Sequence, residues 1–345
     1  MGCRDPWAKT FRYFVPALFP QVGLCYHALV RNPANASHSV NLVVFGEFFL
    51  DLVFYGLPSV PRMGEEVKTK RFAVSPGGGL ATTSLIAAGL GTPTSVITRI
   101  GRDALEGAAW KQIIRKGISA DACEIDAKLP TALTVCASCG GDRMMITYDV
   151  INEKLERLLR RPQVQKKIRA ASHVHLACSV QPPNKWKPEI QRMLKLGVTL
   201  SADIGWNPEL LQSPQLRSLL RGMQFTFPNE LEAKAMTGKK TAEAAAKELA
   251  HWVRIPVVKL GKDGSIAVRD GRLLRVKPLR VRTMDATGSG DAFNGGFLHG
   301  YLAGWSLEDC MRAGNVCGAL ATTLAGGSSA APTREKLKTL MSKLN

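Results

Sequence analysis

The sequence has no uninterrupted apolar run long enough to cross a bilayer. Its most apolar early stretch, residues 11–30, is broken by Pro16, Pro20, Gln21 and His27, whereas a spanning helix needs about 20 consecutive apolar residues. The stretch also lacks the clean apolar segment and small-residue cleavage site of a secretory signal. Pro6 stands where a myristoylation motif requires Ser or Thr. No membrane partner is expected, and residues 1–40 read as a poorly ordered extension. Cysteine supplies no framework. Of eight Cys, Cys136 and Cys139 have CxxC spacing in a strand-like segment, and no second such pair exists. That argues against a structural zinc site. Scattered thiols fit a reducing cytoplasm.

Acidic residues are scarce: 28 Asp+Glu face 46 Lys+Arg, a formal charge of +18. Such an excess can mark a nucleic-acid binder. Here, however, the basic residues are spread out, and zinc-finger spacing, RNP-like aromatics and a basic tail are all missing. The densest cluster, residues 157–169, reads as one solvated basic helix. No nucleic-acid partner is expected; the excess would instead help attract anionic substrates. The six His are scattered, and His173 and His175, on one face of a candidate strand, read as packing residues. Hydrophobic residues at 45% and charged residues at 21% describe an ordinary globular protein.

What is present is a rhythm. Residues 42–45 form a short apolar run that reads as a buried first strand. From there strands alternate with helices: strands at 95–98, 173–177, 199–202, 225–227 and 256–259; helices after Pro76-Gly-Gly-Gly79, to about 116, and at 188–195, 229–236 and 241–252. That spacing predicts an α/β fold with a doubly wound, mostly parallel sheet. Two alternating stretches, 51–75 and 131–148, predict a small antiparallel β-sheet lid on one domain spanning 41–345. In such sheets ligands bind at the carboxyl ends of the strands.

The chemistry concentrates in Asp285-Ala-Thr-Gly-Ser-Gly-Asp-Ala-Phe-Asn-Gly-Gly-Phe297. A Gly288-Ser289-Gly290 turn ahead of a helix can hold an anion on backbone N–H groups. Asp291, in the first helical turn, is placed to take a proton from a hydroxyl. The stretch is neither of the common nucleotide fingerprints: the Rossmann third Gly is missing, and the chain has no Walker A loop. An anion hole beside a base suits phosphoryl transfer.

This stretch resembles the C-terminal signature of the ribokinase-like carbohydrate kinases, the phosphofructokinase B-type (PfkB) family. Pro76-Gly-Gly-Gly-Leu-Ala-Thr-Thr-Ser-Leu-Ile-Ala-Ala-Gly-Leu-Gly91 is similar to the family's N-terminal signature, and the resemblance runs from about Asn41 to the C-terminus. It implies ATP- and Mg²⁺-dependent phosphorylation of a hydroxyl on a sugar or nucleoside. Alternatives are an adenosine-type nucleoside kinase and a non-catalytic sensor of the same fold. By the matching motif Asp291 is the base, with Gly288, Ser289 and Gly290 as anion hole. Asn229 and Glu232 match an Asn-x-x-Glu element that organises Mg²⁺ through water; the residues alone equally suit a helix cap. Lys259, Gly261 and Gly264 match a loop bordering the nucleotide, with Thr287 and Asn315 also on the nucleotide side. Asp51, Gly78 and Gly79 match acceptor contacts, and Thr83 stands where the family often has Asn. The resemblance further implies a potassium site around Asp285 and Thr287 with the loop 326–330, where Ala330 replaces a frequent Ser, and a homodimer through the lid.

Overall fold

The structure, a computed structural model, describes residues 42–103, 106–139, 142–324 and 331–344. The extension expected over 1–40, the hairpin tip 140–141 and the loop 326–330 lie outside the described residues.

Every residue of the first strand, β1 (Leu42–Gly46), is buried. Leu42 and Val44 enter one core, Val43 and Phe45 the other. A strand covered on both faces reads as a continuous apolar run, as this one does. The chain next builds half the lid, β2 (Phe49–Phe54) and β3 (Phe72–Gly77). It returns through α1 (Gly78–Gly89) to β4 (Thr94–Ile97), parallel to β1. A small pair, β5 (Arg99–Gly101) and β6 (Glu124–Asp126), brackets α2 (Glu106–Arg115), and β7 (Leu133–Cys139) with β8 (Asp142–Tyr148) completes the lid. The second half runs α3 (Pro162–Arg169), β9 (His173–Ala177), α4 (Pro183–Lys195), β10 (Thr199–Asp203), α5 (Pro208–Leu211), α6 (Pro214–Leu220) and β11 (Phe225–Thr226). Then come α7 (Glu230–Thr237), α8 (Ala242–Leu249), β12 (Ile255–Lys259), the hairpin β13 (Ser265–Arg269) and β14 (Arg272–Val276), and α9 (Ser289–Leu302), α10 (Leu307–Ala321) and α11 (Arg334–Met341).

The main sheet has eight strands in the order β14-β13-β12-β11-β10-β9-β1-β4, parallel from β12 to β4 with an antiparallel hairpin at the other edge. The lid has the order β3-β2-β7-β8. Its β2–β7 pairing is parallel, and its outer pairings are antiparallel. Helices α3, α4 and α6–α8 cover one face of the main sheet, and α1, α2, α9 and α10 the other. The expected doubly wound sheet and lid are both present. Among the described residues no helix is long and apolar enough to cross a membrane.

Two local expectations change. The basic stretch 157–169 is not one helix. A 3₁₀ segment, Leu155–Arg160, ends at Arg161, whose extended backbone is what a residue before Pro162 prefers, and α3 begins there. Three of its cations are paired, Arg160 with Glu189, Arg161 with Glu124 and Lys167 with Asp121. Likewise α4 starts at Pro183 rather than Pro188, because Pro183 already supplies the favoured first-turn proline.

Helix α9 lies unusually close to its neighbours, and glycines allow it. A Cβ on Gly295 would meet the Thr83 carbonyl oxygen at 2.7 Å; one on Gly296 would meet the Ala313 carbonyl oxygen and Cys317 Sγ, each at 2.7 Å. Helix propensity alone favours Gly296→Ala by up to about 1 kcal/mol. Overpacking opposes it with about 1–3 kcal/mol. The clash is with backbone, which cannot rotate away, so we expect net destabilisation, read as a lower denaturant midpoint.

Candidate active site

The chain leaves β1 toward β4 on one side and leaves β9 toward β10 on the other. A crevice opens at the carboxyl ends of strands where the order diverges in this way. Glu47 follows β1, Cys178 and Ser179 follow β9, and Asp203 ends β10. All four line a cavity of about 480 Å³. The lid contributes Asp51, Thr134, Met145 and Thr147 to its wall, and α1 contributes Gly78, Gly79 and Thr82. Gly288 and Asp291 close the remaining side together with Thr287, which was expected on the nucleotide side.

That side is the motif turn. Asp285 Oδ1 accepts from the Thr287 amide (3.0 Å) and hydroxyl (2.7 Å), tying the turn together. Gly288 adopts a left-handed φ of +69° as the N-cap of α9, a conformation that favours glycine. The first ladder bond of α9 runs from the Ala292 amide to the Gly288 carbonyl, 2.8 Å. The Gly290 amide therefore precedes the ladder, at the positive end of the helix. Ser289 differs from expectation. Its amide (3.3 Å) and its hydroxyl (2.9 Å) both donate back to the Ala286 carbonyl, so it braces the turn.

The turn also divides two spaces. Ala286, Ser289 and Gly290, on its far side, line a second cavity of about 590 Å³. Lys259, Gly261 and Gly264 border that cavity. A Cβ on Gly264 would fall 2.1 Å from the Val276 carbonyl oxygen, so only glycine fits. Asn315 lines the same cavity while its amide donates to the Val276 and Lys277 carbonyls, at 3.2 and 3.0 Å.

The two spaces meet at a buried charge network. Lys259 Nζ lies 2.5 Å from Asp203 Oδ2, an oxygen that also accepts from Asn294 at 2.6 Å. Burial opposes the Lys259 charge, but Asp203, Glu232 and Asp291 outweigh it and hold the ammonium above its usual range. A Cβ on Gly290 would meet Lys259 Nζ at 3.0 Å, so this cation borders the anion turn. Asn229 and Glu232 form a reciprocal capping box on α7: the Asn229 side chain accepts from the Glu232 amide (2.9 Å), and the Glu232 carboxylate from the Asn229 amide (2.8 Å). The cap leaves the Glu232 carboxylate within the field of Asp203 and Lys259. Burial and Asp203 raise the Glu232 carboxyl above its usual range, against the pull of Lys259.

Residues 40–334 match the family model described as pfkB family carbohydrate kinase. The chain belongs to this family of carbohydrate kinases. It is 25% identical to a ribokinase of Haemophilus influenzae, over 86% of this chain and 96% of that one. It is 28% identical to a cytidine kinase of Thermococcus kodakarensis, over 77% and 93%. The solved structure of Arabidopsis thaliana ribokinase complexed with ribose and ATP superposes with a TM-score of 0.75 at 25% identity, covering 87% of this chain and 98% of that one. The fold is therefore ribokinase-like, and the protein is a phosphotransferase of the sugar and nucleoside kinase type.

Of the residues the resemblance assigned to the acceptor, Asp51, Gly78 and Gly79 line the first cavity of this kinase, and Thr83 does not. It is fully buried, and its hydroxyl donates to the Asp291 carbonyl at 3.1 Å. Its neighbour Thr82 lines the cavity instead; on α1 the two point about 100° apart. Thr83, expected as an acceptor contact, thus helps hold the backbone of Asp291. A Cβ on Gly79 would meet Asp291 Oδ1 at 3.0 Å, so the carboxylate rests against the first turn of α1. Asp51 is pushed up to about 7, by burial first and then by Asp291 and Asp285. Glu47 is also pushed up to about 7, by burial and by Asp149, against a hydrogen bond from the Ser179 amide (3.2 Å).

Glu47, Asp203 and Asn294 went unnoticed in the sequence. For the two acids a signal existed: each directly follows or ends an apolar strand, the place where ligands gather. The histidines turn out to be structural. The Thr199 hydroxyl donates to the Ser172 carbonyl, so it accepts from His173 Nδ1; Ser201 then donates to His173 Nε2 and accepts from His175 Nδ1. Burial depresses His173 to about 3 and His175 to about 4. Both are neutral at pH 7 and form a polar ladder beneath α9.

Proposed function

We propose that this kinase transfers the γ-phosphoryl group of ATP to a hydroxyl of a sugar or nucleoside held in the 480 Å³ cavity. One observation carries the reading: Asp291 faces that cavity from the first turn of α9, while Ser289 and Gly290 of the same turn border the second cavity. Base and anion site are thus one turn of one helix, between two spaces. Asp291 takes the acceptor proton. The Gly290 amide and the Lys259 ammonium hold the negative charge of the phosphoryl group in flight. The second cavity suits a nucleotide. Leu279, Val281 and Phe293 offer it apolar wall, and Lys262 and Arg280 offer charge for phosphates. Mg²⁺, when bound with the nucleotide, supplies further neutralisation of the phosphates. Asn229 and Glu232 would hold it through water. The lid closes over the acceptor and keeps water from the reacting oxygen.

Asp51 accepts hydroxyl donors of the acceptor. We expect Asp51→Asn to raise the acceptor KM about 10- to 100-fold, as for loss of a charged hydrogen bond, with the KM for ATP unchanged. Stability should move the other way. Because the folded Asp51 pKa is raised, the native protein loses stability as pH climbs from about 4 through 7. Asp51→Asn lacks this loss, so its stability should decline less between pH 5 and pH 8 in denaturant titrations. ADP release from Mg-ATP over a panel of sugars and nucleosides tests the reading itself. A sensor of the same fold would bind an acceptor and release no ADP.

A further inference from the structure

The two cavities differ sharply in charge. Among the residues lining the nucleotide-side cavity, Lys259, Lys262 and Arg280 face a single acid, Asp263. Among the described residues lining the acceptor cavity are four acids, Glu47, Asp51, Asp203 and Asp291, and not one Lys or Arg. This is notable in a chain with 46 basic residues against 28 acidic ones. The Lys259 ammonium, which lines the other cavity, is already committed to Asp203. The two helix N-termini nearby do not reverse the balance. That of α9 is aimed at the boundary between the cavities, and that of α1 rests against the Asp291 carboxylate.

We propose that the acceptor is an uncharged polyhydroxylated molecule, and that this kinase rejects sugars bearing a carboxylate or a second phosphate. The inference rests on the phosphoryl-transfer reading of the same site and narrows its substrate class. A carboxylate is a good partner for hydroxyl donors because it accepts at two oxygens. It is a poor neighbour for another anion, since like charges brought together at a binding surface cost several factors of ten in affinity. The lid and strand ends offer hydroxyls as further partners, from Thr134, Thr147 and Ser179. These suit a neutral polyol and leave an anion uncompensated. Burial raises Glu47 and Asp51 to about 7, and each remains partly ionised at neutral pH.

Matched acceptors test this. Ribose is set against ribonate and ribose 5-phosphate, fructose against its 1- and 6-phosphates, and a nucleoside against its 3′- and 5′-monophosphates. Placing the charge at either end ensures that blocking one hydroxyl does not explain the result. Calorimetric binding and ADP release are both read on the full-length protein. At least one neutral member should bind and turn over, and its charged partners should have kcat/KM lower by about 100-fold or more. Thr147→Lys, which adds an ammonium to the cavity wall, should narrow that gap at least tenfold. Tighter binding of a charged member, absence of binding by every neutral one, or a gap that Thr147→Lys leaves unchanged would overturn the proposal. If neutral members bind and none releases ADP, the phosphoryl-transfer reading fails while this one stands.

Discussion

Asp291→Asn should lower kcat by roughly 10²–10⁴-fold, the usual contribution of a positioned general base. The KM values for acceptor and ATP should stay within a few-fold, because the proton is taken only as the hydroxyl attacks. The substitution is nearly isosteric, and the Asp291 backbone remains held by the Thr83 hydroxyl. A collapse of the turn is therefore not the expected cause of the loss. A second readout separates charge from shape. Asp291 is one of the charges that raise Asp51. Without it the Asp51 carboxyl moves down, so the acceptor KM of the variant at pH 6 should fall relative to wild type. Loss of fold would raise that KM at every pH.

The second large effect concerns Lys259 and Asp203. Both side chains are close to fully buried, 13% and 10% exposed. Lys259→Met strands the Asp203 carboxylate in the protein with only Asn294 to answer it, and removing one member of a buried pair costs about 3–5 kcal/mol. We expect a correspondingly large drop in the denaturant midpoint, together with a loss of kcat. The pair variant Asp203→Leu with Lys259→Met should recover most of the stability, since apolar replacement of a whole buried pair is often neutral or better. It should not recover activity, because the cation beside Gly290 is still missing. Recovery of both would mean that Lys259 serves the fold alone.

Much of this architecture was legible because its signals are local. The first strand is buried on both faces and so is written as a bare apolar run. The motif turn needs glycine at Gly288 for a left-handed backbone and at Gly290 for closeness to Lys259, which left a recognisable string. Other features depend on partners distant in sequence. Thr83 and Thr82 are adjacent in the chain, and only the packing of α1 against α9 decides which one meets Asp291 and which one the cavity. Asp203 is a single acid at the end of a strand until β12 brings Lys259 beside it from 56 positions away. Asn229 and Glu232 permitted two readings from sequence, and the structure satisfies the cap without removing Glu232 from the charge network. In the basic stretch Pro162 outweighs the charge pattern, because the residue before a proline leaves the helical region.

The most direct test is product-resolved ADP release: purified wild-type protein and Asp291→Asn, each with Mg-ATP and the acceptor that responds best. The account predicts one phosphomonoester formed per ADP in the wild type, with release dependent on acceptor and reduced by at least about 100-fold in the variant. ADP release that ignores the acceptor, or a variant as active as the wild type, would contradict it.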